Sequence, residues 1–197
     1  MRKGWDRMSD NGFRYPVHVR FFEVDSLGVV FNMWYLGWCD EAMSAFMESI
    51  GYGYATLRAR GLDAVLRKAE LEWLDSLEAF QHAEVAVRVD HVGTTSFRLG
   101  YDINRVDINR ADIDRLDGSG QQRTRCAHVA ITYVCVEIAG RKSTPIPAGL
   151  REALATGHSG NAVKQDFAGV LLQFRDDLLT FPLVTNGLPH PVILFFG

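Results

Sequence analysis

No run in this 197-residue chain approaches the roughly 18 consecutive apolar residues that a membrane-spanning helix needs. Neither charge sign dominates either. Lys and Arg number 21 and Asp and Glu 24, so the formal net charge is −3. Without a basic surplus to grip a phosphate backbone, nucleic acid is not an expected partner. Only three cysteines occur, Cys39, Cys126 and Cys135, an odd count with no CxxC spacing. They predict reduced thiols rather than a disulfide framework or a zinc site. The six histidines show no metal-ligand spacing. Residues Met1 to Gly12 are polar and hold no secretory h-region, so a cytoplasmic location is expected. What is present is ordinary globular material: 47% apolar, 23% charged and 11% aromatic residues. That supports one cored domain of about 150 residues, with room for an appendage.

Tyr15 to Phe22 alternates, with Val17, Val19 and Phe21 on one side, which predicts a strand. A turn-like stretch from Glu23 to Gly28 and the apolar run Val29–Phe31 follow. From Asn32 the period becomes helical. Tyr35, Cys39, Ala42, Met43, Phe46 and Ile50 share one stripe, and Gly37, Glu41, Ser44 and Glu48 the opposite one. Asn32 is the expected N-cap and Gly51 the expected left-handed residue at the C-terminus. After a Gly/Tyr-rich connection come four strand-like segments, near Ala64–Leu74, Ala83–His91, Ser96–Asn104 and Arg125–Ile138. No helix separates them, so they should pair antiparallel through hairpins. Pro145 and Pro147 close the last one, and Ala148–Ala155 could form a short helix. One long apolar helix wrapped by an antiparallel sheet is an α+β architecture.

Two segments stand apart. Asp102 to Arg115 repeats Asp-Ile-Asn-Arg at a spacing of five, which matches neither helix nor strand and reads as a solvated extension between strands. Residues 156–197 read as a C-terminal extension, opening on a Gly/Ser/Asn linker and ending on the apolar Val192–Phe196.

The chemically informative stretch runs from Val19 to Trp38. It sets a carboxylate, Asp25, in a turn, with Gly28 three residues later and a helix start just beyond. A helix start offers unpaired amides and positive dipole charge for a developing oxyanion. A carboxylate beside it can serve as general base or nucleophile. Among other candidates, Glu41 and Glu48 read as solvated face. Cys39 reads as a small buried hydrophobe, and His18 and His128 as strand residues in polar packing.

Val19, Phe21, Glu23, Asp25, Gly28, Val29, Val30, Phe31, Tyr35, Leu36 and Trp38 together resemble the signature of hotdog-fold acyl-CoA thioesterases of the 4-hydroxybenzoyl-CoA thioesterase type. The resemblance spans about residues 14–155 and is weaker after the first motif. It implies a hotdog fold, an antiparallel sheet wrapped around one long central helix, and hydrolysis of an acyl-thioester to free acid and CoA. By position, Asp25 corresponds to the catalytic carboxylate, and Asn32 to the residue whose backbone amide polarises the thioester carbonyl. Gly28 allows close passage of the acyl group, and Tyr35 lines or braces the pocket. No metal or redox cofactor is implied. The resemblance further implies a homodimer or homotetramer with pockets at a subunit interface. Arg67, Lys68 and Arg98 are candidates for the CoA phosphates. The chain departs from the pattern at Asn32 and Trp34, where many relatives carry His and Asn. Two alternatives stay open beside this reading, a non-catalytic acyl-binding module and a thioesterase for carrier-protein-bound acyl groups.

Overall fold

The computed structural model describes residues 12–107 and 122–156. In chain order these residues form β1 (Phe13–His18), α1 (Trp34–Ser49), α2 (Tyr54–Ala59), β2 (Leu62–Trp73), β3 (His82–Val92), β4 (Ser96–Asp107), β5 (Gln122–Glu137), β6 (Lys142–Ser143) and α3 (Ala148–Thr156). The strands make one antiparallel sheet in the order β1-β3-β4-β5-β2, with β6 also on β5. The expected hairpins β3–β4 and β4–β5 are present. β2 departs from a simple meander: it pairs with β5 and leaves its other edge unpaired among the described residues.

Alternation along the strands separates two faces. Val85 and Val87 of β3, Leu99, Tyr101 and Ile103 of β4, and Val129, Ile131 and Tyr133 of β5 are buried in the core cluster that α1 completes. On α1, Tyr35, Trp38, Cys39, Ala42, Met43, Phe46 and Met47 are buried at helical spacing. The helix therefore seats its apolar stripe on the sheet, and the architecture is the α+β hotdog that the sequence suggested. Its C-terminus is closed as expected. Gly51 has φ 79°, its amide donates to Glu48 O at 2.9 Å, and the Tyr52 amide donates to Met47 O at 2.8 Å, a Schellman arrangement.

Several expectations need correction. The first strand ends at His18 rather than Phe22, and Phe21–Glu23 forms a 3₁₀ turn. The reason is Glu23, whose carboxylate turns back to accept the Arg20 amide at 2.7 Å. Asn32 is not the N-cap. Met33 holds that position, and the Trp34 amide is satisfied by Phe31 O at 3.0 Å instead of by a side chain. The Gly/Tyr-rich connection contains α2, too short to show a period. The first Asp-Ile-Asn-Arg copy is not a solvated loop but the end of β4, with Asp102 and Asn104 buried. The later copies open at Asp107, the last residue of β4, and run on into 108–121, which with the C-terminal extension beyond Thr156 lies outside the described residues.

Asp102 belongs to a charge network on the sheet face opposite α1. Its carboxylate lies 2.8 Å from His128 Nδ1, 3.1 Å from Arg88 Nη1 and 3.4 Å from Arg125 Nε. Burial pushes the Asp102 carboxyl upward. The His128 bond and the charges of Arg88 and Arg125 outweigh that and hold it below the ordinary aspartate value. Glu84, fully buried, is paired with Arg14 and with Arg123, the latter at 2.8 Å.

Candidate active site

The stretch between β1 and α1 folds into a small hairpin. Val24 bridges Val30, the Phe31 amide donates to Glu23 O at 2.8 Å, and the Asp25 amide donates to Val29 O at 2.8 Å. The Gly28 amide closes a turn onto Asp25 O at 2.9 Å, and Gly28 itself has φ 77°. A turn followed by a left-handed glycine is a hairpin closure in which residues with a Cβ are strained. A Cβ at Gly28 would meet nothing within 4 Å, so within this chain glycine is required by its backbone angle.

Asp25 is half-buried at the start of this turn, and its Oδ1 accepts the Leu27 amide at 2.8 Å. Its Oδ2 has no hydrogen-bond partner among the described residues. Asn32 is exposed, and its amide, like that of Met33, has no acceptor among the described residues. These donors stand at the opening of α1, where the helix dipole also favours negative charge. The hairpin is anchored beneath by Val30 N–H donating to Leu77 O at 2.8 Å and by the Val29–Glu78 bridge.

Glu23 has a structural role here that the sequence did not disclose. It is 1% exposed, yet both carboxylate oxygens are used: Oε1 accepts Trp38 Nε1–H at 3.1 Å and Oε2 the Arg20 amide. It thereby ties the hairpin to α1. The only signal was its place two residues before Asp25 in the motif.

Tyr35 lies in the core, 2% exposed, with its ring 5.3 Å from Trp38 and 6.5 Å from Trp73. Burial pushes its hydroxyl up to about 12, so it is a neutral bracing group. Cys39 is fully buried, and burial raises its thiol, which makes it inert as expected. Glu41 is exposed on α1 and accepts the Tyr15 hydroxyl at 3.3 Å, and Glu48 is exposed as well. His18 packs on His82 with ring centroids 4.9 Å apart. Among the described residues no cluster of His, Cys, Asp or Glu could hold a metal ion.

Around the hairpin the surface is unusually apolar. Phe21, Phe22, Leu27, Met33, Phe80, Trp73 and Leu74 are each at least half exposed, and Phe31 nearly so. Phe21 stacks on Phe80 at 6.3 Å, and Phe22 meets Trp34 edge-on at 5.4 Å. Such a surface marks a binding or assembly face.

Residues 19–154 match the family model described as the thioesterase-like superfamily, more than two thirds of the chain. The chain belongs to the thioesterase-like superfamily. A relative named "Putative esterase", from Aquifex aeolicus, is 30% identical over 95 residues, 48% of this thioesterase-like chain and 74% of that protein. Among solved structures, a 1,4-dihydroxy-2-naphthoyl-CoA thioesterase from Synechocystis superposes with a TM-score of 0.59 at 19% identity, covering 73% of this chain and 95% of that one. A Staphylococcus aureus protein solved in complex with CoA superposes with a TM-score of 0.64 at 11% identity, covering 79% and 89%. At these identities the superpositions establish the shared hotdog fold, while membership of the superfamily supports acyl-thioester hydrolysis in general.

Proposed function

We propose that this protein is an acyl-CoA thioesterase that uses Asp25 and the Asn32 amide, and that it works as a homodimer or dimer of dimers. The observation that carries the reading is the Asp25 hairpin. A half-buried carboxylate with one uncommitted oxygen stands on a turn at the start of α1, beside exposed amides without acceptors and within an apolar surface. In hydrolysis, Asp25 as base removes a proton from water, whose oxygen attacks the thioester carbonyl carbon. The Asn32 N–H stabilises the oxyanion, and collapse expels the thiolate, which takes up the proton. Asp25 as nucleophile gives the same products through a mixed anhydride that water then cleaves. The Gly28 turn keeps the approach to Asp25 free of side chain, and Tyr35 braces the helix start from below.

Assembly through β2 is supported by its free edge, 12 residues long, with Val65, Leu66, Trp73 and Leu74 each about half exposed. The family match over residues 19–154 supports 14–155 as the catalytic domain. The CoA-bound and CoA-thioesterase folds of similar shape support a CoA thioester as substrate, with the 4-hydroxybenzoyl-CoA thioesterase type as the branch that the motif resembles. The test is hydrolysis of aromatic, short-chain and long-chain acyl-CoA by wild type and Asp25→Asn. Turnover of any of these thioesters that disappears in the variant supports the reading, and the preferred one gives the acyl class. A folded wild-type protein that hydrolyses none of them overturns it in favour of an acyl-binding module.

A further inference from the structure

Phe80 occupies a place in the backbone that suits glycine. The Gln81 amide donates to Glu78 O at 3.3 Å, so residues 78–81 form a turn with Phe80 as its third residue. Phe80 has φ 66°, and Ala79 before it lies outside the positive-φ region. A positive φ at the third position alone is the mark of a type II turn, where glycine fits freely and a residue with a Cβ is strained. Neighbouring bonds hold Phe80 there. Its amide donates to Val19 O at 2.9 Å, Gln81 O accepts the Val19 amide at 3.0 Å, and Gln81 Oε1 accepts the Glu78 amide at 3.0 Å.

The fold gains little from the ring held in this way. Phe80 is 64% exposed, and Phe21, on which it stacks, is 67% exposed. The two centroids lie 6.3 Å apart with the planes 15° from parallel. Arg20, beside Phe21 in sequence, sends its guanidinium over Phe22 instead, 5.9 Å from that ring centroid. The Phe21–Phe80 pair is thus an exposed apolar surface on a strained turn. A bulky residue in the left-handed region is an outlier, and strain that buries no side chain points to binding rather than to folding.

The turn and the Asp25 hairpin share one ladder. The Asp25 amide donates to Val29 O at 2.8 Å, Val29 bridges Glu78, and Val30 N–H donates to Leu77 O at 2.8 Å. Asp25 and Glu78 are therefore two strand spacings apart, about 10 Å, and Phe80 follows in the turn that Glu78 opens. An acetyl group with its carbonyl at Asp25 ends far short of the rings, whereas an extended medium- or long-chain acyl group reaches them. We infer that Phe80 and Phe21 determine acyl-group specificity: the ring pair takes the far end of a medium- or long-chain acyl group whose thioester lies at Asp25. This rests on the acyl-CoA thioesterase reading.

The test uses the full chain and two readouts. Binding of CoA and of S-decyl-CoA, a thioether that cannot be hydrolysed, is measured by calorimetry, and kcat/KM is measured for acetyl-CoA and decanoyl-CoA. Wild type should bind S-decyl-CoA more tightly than CoA. Phe80→Gly and Phe21→Ala should each weaken S-decyl-CoA binding and lower kcat/KM for decanoyl-CoA roughly tenfold, the size of a partly buried aromatic contact. CoA binding and acetyl-CoA hydrolysis should stay as they are, and Phe80→Tyr, which keeps the ring, should behave as wild type. Because glycine suits φ 66°, Phe80→Gly should not lower the melting temperature, so lost selectivity is not lost folding. A melting temperature well below that of wild type would give the ring to the fold and overturn the inference. Equal S-decyl-CoA binding by wild type and variants overturns it, as do equal losses on acetyl-CoA and decanoyl-CoA. A fall in molecular mass with equal losses gives the rings to a second copy of the chain, and lost sedimentation with phosphatidylcholine vesicles at unchanged chain preference gives them to a bilayer; either result overturns it too. The functional reading fails by itself if wild type hydrolyses no thioester yet binds S-decyl-CoA through Phe80. The inference fails by itself if hydrolysis proceeds with no chain preference that depends on Phe80.

Discussion

The indole Nε1–H of Trp38 donates to Glu23 Oε1 at 3.1 Å, and both side chains are buried. The bond fastens the Asp25 hairpin, through the residue two positions before its aspartate, to the second turn of α1. The other Glu23 oxygen fixes the Arg20 amide, so a single carboxylate sets both the 3₁₀ turn and the approach to the helix. Removing the indole donor leaves that buried oxygen without its hydrogen bond, with only the Arg20 guanidinium 3.7 Å away. Trp38→Phe should therefore cost about 2 kcal/mol in denaturant unfolding. Because the hairpin loses its tether, turnover should fall too, though by less than in Asp25→Asn. An unchanged unfolding midpoint would show that the bond is dispensable.

Asp25→Asn should lower kcat by roughly 10² to 10⁴, the usual contribution of a general base, with the fold retained. The turn is preserved because an Asn oxygen can accept the Leu27 amide as Asp25 Oδ1 does. Asn32→Ala should cost far less activity, since the proposed donor is the peptide N–H. As Met33 holds the N-cap position, Asn32→Ala should also leave stability nearly unchanged. Parallel steady-state kinetics and thermal melts of the two variants check the order. Equal losses of activity would give the Asn32 side chain a chemical role.

Gly28→Ala separates conformation from contact. Nothing stands within 4 Å of a Cβ placed there, but φ is 77°. Forcing an L side chain into that region costs roughly 1–2 kcal/mol, and asparagine pays less. Unfolding should rank wild type above Gly28→Asn and Gly28→Ala lowest, whereas an Ala variant as stable as wild type would mean that the turn relaxes.

Legibility in the sequence followed the range of the forces involved. α1 was readable because its buried residues recur at helical spacing and because Gly51 ends it with a local bond pattern. β3, β4 and β5 were readable through alternation, except where a solvated-looking repeat continued β4 as far as Asp107 with Asp102 buried among arginines. The failures share a cause. The turn at Phe21–Glu23 depends on a carboxylate meeting Trp38, 15 residues away, and Val19 and Phe21 alternate as a strand would until that contact intervenes. Asn32 has the right chemistry for a cap, but Phe31 O already satisfies the amide that needed one. The Asp25–Gly28 turn was legible from the motif, whereas the bulge at Arg67 and the left-handed Arg141 depend on strand pairing that no local pattern announces.

The free edge of β2 makes assembly testable without a ligand. Leu66, 48% exposed at that edge, tolerates a charge in an isolated protomer but not at a paired edge. Leu66→Asp should keep the circular dichroism spectrum of wild type while light scattering at micromolar concentration moves from dimer or tetramer to monomer. A wild-type monomer mass would remove the assembly.

Asp102 sets an acid limit on stability. Burial alone would raise its carboxyl, but His128, Arg88 and Arg125 hold it below its ordinary value of 3.8 in the folded protein. A carboxyl depressed on folding contributes stability that is fully present above the unfolded value and is lost as pH falls through the folded one. The contribution should therefore be constant at neutral pH and decline only below about pH 4. Protonation there leaves Arg88 and Arg125 facing a neutral group 3.1 and 3.4 Å away. Asp102→Asn mimics that protonated state at every pH, so it should be distinctly less stable than wild type at pH 7. The gap should narrow as pH drops below 3.8, since wild type then loses what the variant already lacks. Urea unfolding of both proteins between pH 7 and pH 3 measures the difference directly, and a gap that stays constant or widens toward acid would show that the network does not depend on the Asp102 charge.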